Sequence, residues 1–155
     1  MRIVKFDKLN NIDKLSKIIY LNFVELQNVE GIVFNIDDIY NTLSSNNLLG
    51  WFIINNDRII GYVIGEVKDT VDGRYVYYIS YIYIIKEHRS QGLGFKLMLN
   101  CINYINNANI KFIMLTCNKN GQAFQLYKKL GFIYDPIIKI NNPDYNILTF
   151  YCNNN

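Results

Sequence analysis

One stretch of the chain, residues 74–106, changes its hydrophobic period partway along. Arg74–Ile85 is dense in Tyr, Val and Ile, which suit the pleated surface of a β-strand. After a turn that contains glycines, Gly92–Asn106 has apolar residues at every fourth position, namely Leu93, Leu97, Cys101 and Ile105. That spacing predicts an α-helix. A long strand that leads directly into a helix indicates an α/β fold.

The other elements follow from the same two periods and from turn residues. The predicted strands are Met1–Phe6, Gly50–Ile54, Arg58–Lys68, Lys111–Cys117, Phe132–Ile140 and Asn146–Cys152. The predicted helices are Asp13–Phe23, Ile36–Leu43 with Asn35 as N-cap, and Gln122–Leu130 ended by Gly131. Asn22–Asn35 is predicted to be irregular, and Asn141–Tyr145 to be a turn. The order β-α-α-β-β-β-α-β-α-β-β predicts an α/β domain with a mixed sheet.

Composition limits the classes of function. A length of 155 residues, half of them hydrophobic, predicts a single globular domain over residues 1–155. The net charge of +3 is too small to indicate nucleic acid as a partner. No apolar run approaches the roughly 18 residues of a membrane span, so no membrane partner is expected. Met1–Leu9 lacks the apolar core of a signal peptide.

The cysteines and the histidine do not form a metal site by their spacing. Cys101, Cys117 and Cys152 are odd in number, and His88 is the sole histidine. We therefore expect free thiols in a reducing compartment and no metal. A cytoplasmic location is expected, with the nucleus left open.

The turn between the long strand and the helix has the chemistry of an anion site. It reads Arg89-Ser90-Gln91-Gly92-Leu93-Gly94, and its glycines let the backbone approach a ligand closely. The first N–H groups of a helix have no partner within it, and the helix dipole places positive charge there, which suits a pyrophosphate. Neither the dinucleotide fingerprint nor the Walker pattern fits, because position 97 is Leu and no Gly-Lys-Ser/Thr follows.

A second segment narrows the interpretation. It contains Asn120-x-x-Ala123-x-x-Leu126-Tyr127, followed by Gly131-Phe132. Together with Arg89–Gly94, which matches the pattern Arg/Gln-x-x-Gly-x-Gly/Ala, it resembles the GNAT superfamily of acetyl-CoA-dependent N-acetyltransferases over roughly Gly50–Cys152. The resemblance implies a mixed, mostly antiparallel sheet of about seven strands flanked by about four helices. It also implies an acyltransferase that uses acetyl-CoA as co-substrate.

The resemblance implies a role for each matching residue. The backbone amides of Ser90, Gln91, Gly92, Leu93 and Gly94 would hold the pyrophosphate of coenzyme A, with Arg89 adding charge. The backbones of Ile82 and Ile84 would pair with the pantetheine arm as an added strand, where Arg74–Ile85 and Lys111–Cys117 part. Asn120 would contact the coenzyme. Tyr127 would lie beside its sulfur and protonate the leaving thiolate, although a helix tyrosine in this place could also be a core residue.

The general base is open between two residues. Many relatives have a Glu on the strand before the glycine turn, but Arg74–Ile85 has no carboxylate. Tyr78 stands where some protein N-terminal acetyltransferases have a Tyr that acts through water, and Glu66 on the preceding strand is the acidic alternative. Strand alternation predicts that Tyr78 and Ile82 share one face, apart from any bulge. A structural or surface role is expected for His88, and Glu25 and Glu30 are expected near the acceptor.

Three functions stay open. The motifs IMLTC and DYNILT resemble the NatD type of protein N-terminal acetyltransferase, although that type has a Glu where this chain has Tyr81. A protein or peptide amino group is therefore the expected acceptor. The alternatives are an enzyme for small amines such as polyamines and a module that binds acetyl-CoA without turning it over. Either a monomer or a homodimer is expected.

Overall fold

The computed structural model describes residues 1–30, 34–119 and 121–153, with the side chains of residues 27–30 left aside. This part of the chain forms seven strands and four α-helices, with a short 3-10 turn at Lys86–His88. The strands are β1 (Arg2–Phe6), β2 (Leu48–Asn55), β3 (Arg58–Asp69), β4 (Tyr75–Ile84), β5 (Phe112–Asn118), β6 (Ile133–Tyr134) and β7 (Tyr145–Tyr151). The helices are α1 (Ile12–Glu30), α2 (Ile36–Leu43), α3 (Leu93–Asn107) and α4 (Ala123–Leu130).

The strands form one sheet in the order β1-β2-β3-β4-β5-β7-β6. Neighbouring strands are antiparallel except β4 and β5, which run parallel. Parallel neighbours need a crossover connection, and the connection from β4 to β5 contains α3. The predicted α/β fold with a mixed, mostly antiparallel sheet is confirmed.

The sheet separates two hydrophobic cores. On one face α3 and α4 pack against the strands, and Leu97, Met98 and Ile105 of α3 are fully buried there. On the other face α1 and α2 cover the strands through Ile19 and Ile39, which are also fully buried. We call these the α3/α4 face and the α1/α2 face. Each strand of a sheet with two covered faces contributes apolar side chains to both.

Two sequence predictions about element bounds were wrong. The helix predicted over Asp13–Phe23 continues to Glu30, although Asn22–Asn35 had been predicted irregular, because Phe23 and Leu26 also pack on the α1/α2 face. The strand predicted over Phe132–Ile140 is limited to Ile133–Tyr134. Beyond it the N–H groups of Ile137 and Ile138 donate to the Asp135 carboxylate, at 3.0 and 2.7 Å, so they do not extend a ladder.

The two helix caps predicted from the sequence, at Asn35 and Gly131, are present. Asn35 is the N-cap of α2, and its side-chain oxygen accepts a hydrogen bond from the N–H of Asp37 at 2.8 Å. Gly131 ends α4 with a φ of 104°, the left-handed conformation that glycine adopts without steric cost.

The three cysteines are free thiols, as expected. In the described part of the chain, no helix combines the length and apolar character that a membrane span requires.

Candidate active site

The site begins where β4 and β5 part. The two strands pair through four residues each, Val76–Ile79 on β4 and Phe112–Leu115 on β5. β4 continues to Ile84 and β5 to Asn118, and among the described residues no pairing between the two strands extends that far. The unpaired edges leave backbone N–H and C=O groups facing a gap.

A cleft of about 780 Å³ occupies this gap. Six of the predicted coenzyme and catalytic residues line it: Ile82, Ile84, Arg89, Ser90, Gly94 and Tyr127. Its wall also contains Leu26 and Tyr83, which belong to the α1/α2 face. The cleft therefore reaches both faces of the sheet. Six further residues, which the sequence did not indicate as site residues, complete the lining: Asn118, Gly121, Gln122, Ala123, Leu126 and Asp144.

The backbone of the glycine turn adopts the left-handed conformation at two positions. Ser90 and Gly92 have φ values of 63° and 77°, both in the left-handed region. The first hydrogen bond of α3 runs from the N–H of Lys96 to the carbonyl of Gly92, at 3.1 Å. The N–H groups of the first helical turn precede it and have no acceptor within the helix. Gln91 and Gly92 are exposed, whereas the Leu93 side chain is buried in the core, so its backbone alone can serve a ligand.

Arg89 fastens the turn to the end of β4. Its Nε donates to the carbonyl of Ile84 at 2.8 Å, and its guanidinium lies 5.0 Å from the ring centre of Tyr83. The N–H of Ile85 donates to Ile60 on β3, so the groups of Ile84 point to the opposite edge, towards the gap. The Ile84 carbonyl, one of the predicted pantetheine partners, is thus already occupied. Arg89 remains exposed and lines the cleft.

Tyr127 belongs to both the core and the cleft. Only 4% of its surface is exposed, and its ring packs against Phe132 with the centroids 5.6 Å apart. It also lines the cleft from α4. The two interpretations that the sequence left open for this residue are therefore compatible, because packing on one side of the ring holds the other side against the cleft.

A β-bulge in β4 overturns the prediction that Tyr78 and Ile82 share a face. Ile64 of β3 pairs with Tyr81 but the next residue pairs with Ile79, so Ser80 is left over. Side chains normally alternate, and one extra residue reverses the alternation. Tyr77 and Ile79 accordingly face α3/α4, whereas Tyr81 and Tyr83 face α1/α2. Tyr78 lies on the α1/α2 face, and Ile82 packs towards α3/α4.

The two candidate bases lie together on the α1/α2 face. Glu66 and Tyr78 are directly opposed on β3 and β4. The Tyr78 hydroxyl is 2.7 Å from the Thr116 hydroxyl on β5, and the Lys68 ammonium lies 4.3 Å from the centre of the Tyr78 ring. Thr116 was not among the predicted site residues. Leu115 and Cys117 on either side of it both face the α3/α4 core, so strand alternation places Thr116 on the α1/α2 face, next to Tyr78 when β5 pairs with β4.

Tyr81 extends this group of polar side chains. Burial raises the pKa of its phenol, against an opposing hydrogen bond with Thr42 of α2. The negative charges of Asp38 and Glu66 raise it further, as does Tyr78, so all these groups are near one another. At neutral pH Tyr81 is therefore a neutral phenol among carboxylates. The carboxylates of Asp38 and Glu66 and the ammonium of Lys68 thus lie around the phenols of Tyr78 and Tyr81.

Some of the predicted site residues lie away from this group of polar side chains, and others are not among the described residues. Asn120 is not among the described residues, and neither is the side chain of Glu30. Glu25 is exposed on α1, and its charge contributes to raising the pKa of Tyr83, after burial. His88 is half-buried in the 3-10 turn before Arg89.

The family model described as Acetyltransferase (GNAT) family matches residues 15–132, which is more than half of the chain. The chain belongs to the GNAT acetyltransferase family. The predicted acetyltransferase activity class is confirmed by this match. No protein with a curated function matches the sequence.

Solved structures share the fold of this GNAT protein over nearly its whole length. NAA60 from Arabidopsis thaliana, in complex with a bisubstrate analogue, has a TM-score of 0.69 at 14% identity and covers 99% of this chain and 100% of its own. The ribosomal-protein-S18-alanine N-acetyltransferase from Escherichia coli has a TM-score of 0.72 at 17% identity, covering 97% and 94%. PaiA N-acetyltransferase from Thermoplasma acidophilum, in complex with coenzyme A, has a TM-score of 0.70 at 14% identity, covering 97% and 99%. At these identities the similarity concerns the fold alone.

Proposed function

We propose that this GNAT protein transfers the acetyl group of acetyl-CoA to a primary amine, most simply the amino group of a protein or peptide. The observation that carries the proposal is the cleft between β4 and β5, whose lining includes Ser90 and Gly94 of the glycine turn and Tyr127 of α4. The left-handed φ values at Ser90 and Gly92 support the turn as an anion site. A ligand with a pyrophosphate, an amide-bearing arm and a thioester fits those features in that order.

Coenzyme A would be held mainly by backbone groups. The amides of Ser90–Gly94 would donate to the pyrophosphate, with the charge of Arg89 beside them. The backbone of Ile82, at the unpaired edge of β4, would pair with the pantetheine arm, whereas the Ile84 carbonyl already accepts from Arg89. Asn120 stays a predicted contact. Among the similar structures, PaiA is a complex with coenzyme A, and one structure of NAA60 is a complex with acetyl-CoA.

The reaction would be a direct attack on the thioester. The amine must first lose a proton, since an alkyl ammonium has a pKa of about 10.4 and an α-amino group one of about 8. Its nitrogen then bonds to the carbonyl carbon, the C–S bond breaks, and the sulfur leaves as a thiolate. Tyr127 would donate its proton to that thiolate. Water held by Tyr78 would accept the first proton from the ammonium and the second from the nitrogen after attack, with Glu66 as the alternative base. Tyr127 would regain its proton from solvent.

The two substrates would approach from opposite faces of the sheet. The coenzyme arm would follow Ile82 on the α3/α4 face, and the amine would wait near Tyr78, Glu66 and Asp38 on the α1/α2 face. The bulge at Ser80 supports this arrangement, because it separates Tyr78 from Ile82. The carboxylates of Glu66 and Asp38 would attract the ammonium before its deprotonation, against the opposing charge of Lys68 beside Tyr78.

The loop before β7 supports an extended acceptor over a free small amine. Asp144 lines the cleft, and its carbonyl accepts a hydrogen bond from the N–H of Lys119 at 3.0 Å. A loop tied to the end of β5 gives the cleft a wall against which a peptide can be held. Likeness to the NatD type of N-terminal acetyltransferase is part of this proposal.

Release of free coenzyme A with a panel of amines tests the function. The panel contains N-terminal peptides, a lysine peptide whose N-terminus is blocked, and spermidine. We expect turnover with an N-terminal peptide at least tenfold above that with spermidine. Preference for spermidine would favour the small-amine enzyme, and binding of acetyl-CoA without release for any amine would favour the non-catalytic module.

A further inference from the structure

We propose that Thr116 is a positioning residue for acetyl transfer, because its hydroxyl holds the Tyr78 phenol at the point where β4 and β5 part. The inference rests on the proposed function, since it assigns a residue to the route by which the amine loses its proton. Thr116 itself does not touch the reacting atoms in this proposal. It acts through the orientation of the Tyr78 hydroxyl.

The register of the sheet places the two hydroxyls at the closed end of the gap. Tyr78 pairs with Met114, and the last pair between the strands is Ile79 with Leu115. Thr116 is therefore the first residue of β5 beyond the paired segment. The 2.7 Å contact between its hydroxyl and that of Tyr78 spans the two strands on the α1/α2 face where their backbone ladder ends.

The hydrogen bond with Thr116 is the contact of Tyr78 that orients its hydroxyl. Lys68 lies over the face of the ring, 4.3 Å from its centre, and Glu66 is opposite on β3. These contacts restrict the plane of the ring, whereas the hydrogen bond with Thr116 restricts the hydroxyl. Thr116 is exposed, so the pair is open to water. A hydroxyl can donate one hydrogen bond and accept others, so the Tyr78 hydroxyl can hold a water molecule while it is bonded to Thr116.

The ammonium loses two protons on becoming an amide. It gives the first proton to the water held by the Tyr78 hydroxyl, and that water passes it to solvent. The neutral amine forms the C–N bond while the C–S bond breaks, and the nitrogen gives its second proton to the same water. On the other face the thiolate takes the proton of Tyr127, which regains one from solvent. A phenol with a pKa of about 10 is a poor base but a suitable anchor for such a water.

Three single variants and one double variant test the proposal in the intact protein. Thr116→Val removes the hydroxyl and keeps the shape, and we expect kcat at pH 7 to fall about tenfold. The KM for acetyl-CoA and the midpoint of thermal unfolding should change little. Thr116→Ser keeps the hydroxyl and should recover most of the lost turnover. The deficit of Thr116→Val should shrink as pH rises, because the amine then loses its proton unaided.

The double variant separates a shared role from two independent ones. If Thr116 acts through Tyr78, Tyr78→Phe combined with Thr116→Val should be no slower than Tyr78→Phe alone. Additive losses in the double variant, or wild-type kcat for Thr116→Val at every pH, would overturn the inference. Failure of the proposed function is a different result, because the wild-type protein would then release no coenzyme A with any amine.

Discussion

Ser90 and Gly92 show how backbone conformation prepares the proposed phosphate site. Both have positive φ, although only one of them is a glycine. A β-carbon added at Gly92 would meet no atom within 4 Å, so the position faces open space where a phosphate could approach. At Gly94 an added β-carbon would lie 3.4 Å from Leu126 of α4, in ordinary van der Waals contact with it. Gly92 is therefore the cleaner position for a test of binding.

Substitution of Gly92 by Asp and by Asn separates charge from bulk. Both side chains have similar size and tolerate left-handed φ better than most, but Asp adds a negative charge beside the phosphates. We expect Gly92→Asp to weaken acetyl-CoA binding at least about tenfold more than Gly92→Asn, by calorimetry. Gly73→Asp is the matched control, since Gly73 has a φ of 88° and open space but precedes β4. Equal affinities for the two Gly92 variants would contradict the site.

Tyr127→Phe tests the proposed acid without disturbing the packing. The ring packs against Phe132 and the core, and the substitution removes only the hydroxyl. Turnover should fall about 100-fold, within the usual contribution of a positioned acid, while affinity for acetyl-CoA changes little. Tyr134→Phe, on exposed β6, is the matched control. Unchanged turnover of Tyr127→Phe would leave the residue a core aromatic only.

At the scale of elements, the bulge in β4 decides which side chains meet. Upstream of Ser80 the odd-numbered residues face α3/α4, and downstream of it they face α1/α2. The bulge thus lets Tyr81 and Tyr83 enter one core while Tyr77 and Ile79 enter the other. It also coincides with the end of pairing to β5, so the strand reverses its faces where the cleft opens.

Deletion of Ser80 tests whether the bulge is an extra residue that the sheet can lose. Without Ser80, Ile79 and Tyr81 become neighbours in a regular ladder, and alternation still places Ile79 in the α3/α4 core and Tyr81 in the α1/α2 core. We therefore expect the free energy of unfolding to fall by no more than about 1 kcal/mol in urea unfolding. Ser80→Ala keeps the extra residue and should stay within about 0.5 kcal/mol of wild type. A loss of about 3 kcal/mol or more on deletion, as for loss of a buried aromatic side chain, would contradict this assignment of the bulge.

At the scale of the whole molecule, one buried ion pair joins distant parts of the sheet. Arg74, just before β4, donates to both oxygens of Asp135 after β6, at 2.7 and 3.0 Å, and Thr149 of β7 donates to the same carboxylate at 2.7 Å. Burial alone would raise the pKa of Asp135, but these hydrogen bonds and those from the N–H groups of Ile137 and Ile138 outweigh it and lower the pKa.

The ion pair of Arg74 and Asp135 makes the free energy of unfolding depend on pH in the acid range. Because the folded pKa of Asp135 lies below the unfolded value of about 3.9, its contribution is complete above about pH 4 and is lost as the pH falls further. Asp135→Asn should lower the free energy of unfolding by about 3 kcal/mol at pH 7 and flatten its decline in acid. Asp69→Asn, exposed at the end of β3, is the control and should follow wild type. Parallel acid profiles for wild type and Asp135→Asn would contradict the assignment.

Local patterns were enough to predict much of the fold and one side of the site. The period change around residue 90, the N-cap at Asn35 and the left-handed Gly131 depend on neighbours along the chain, so they are readable without tertiary information. The resemblance of two segments to GNAT motifs predicted the glycine turn and Tyr127 as site residues, and Ser90, Gly94 and Tyr127 line one cleft. Element bounds were less accurate at α1 and β6, where packing of Leu26 and hydrogen bonds to Asp135 override local preference.

The face of the sheet on which each side chain lies was determined by tertiary structure alone. The bulge at Ser80 exists because β3 and β4 pair in a shifted register, and strand alternation by itself placed Tyr78 on the wrong face. Thr116 meets Tyr78 only because β5 runs parallel to β4 in one particular register. Arg74 and Asp135 are 61 residues apart and come together only in the closed sheet. Strand pairing brings together residues far apart in the chain, and hydrophobic period carries no information about register between strands.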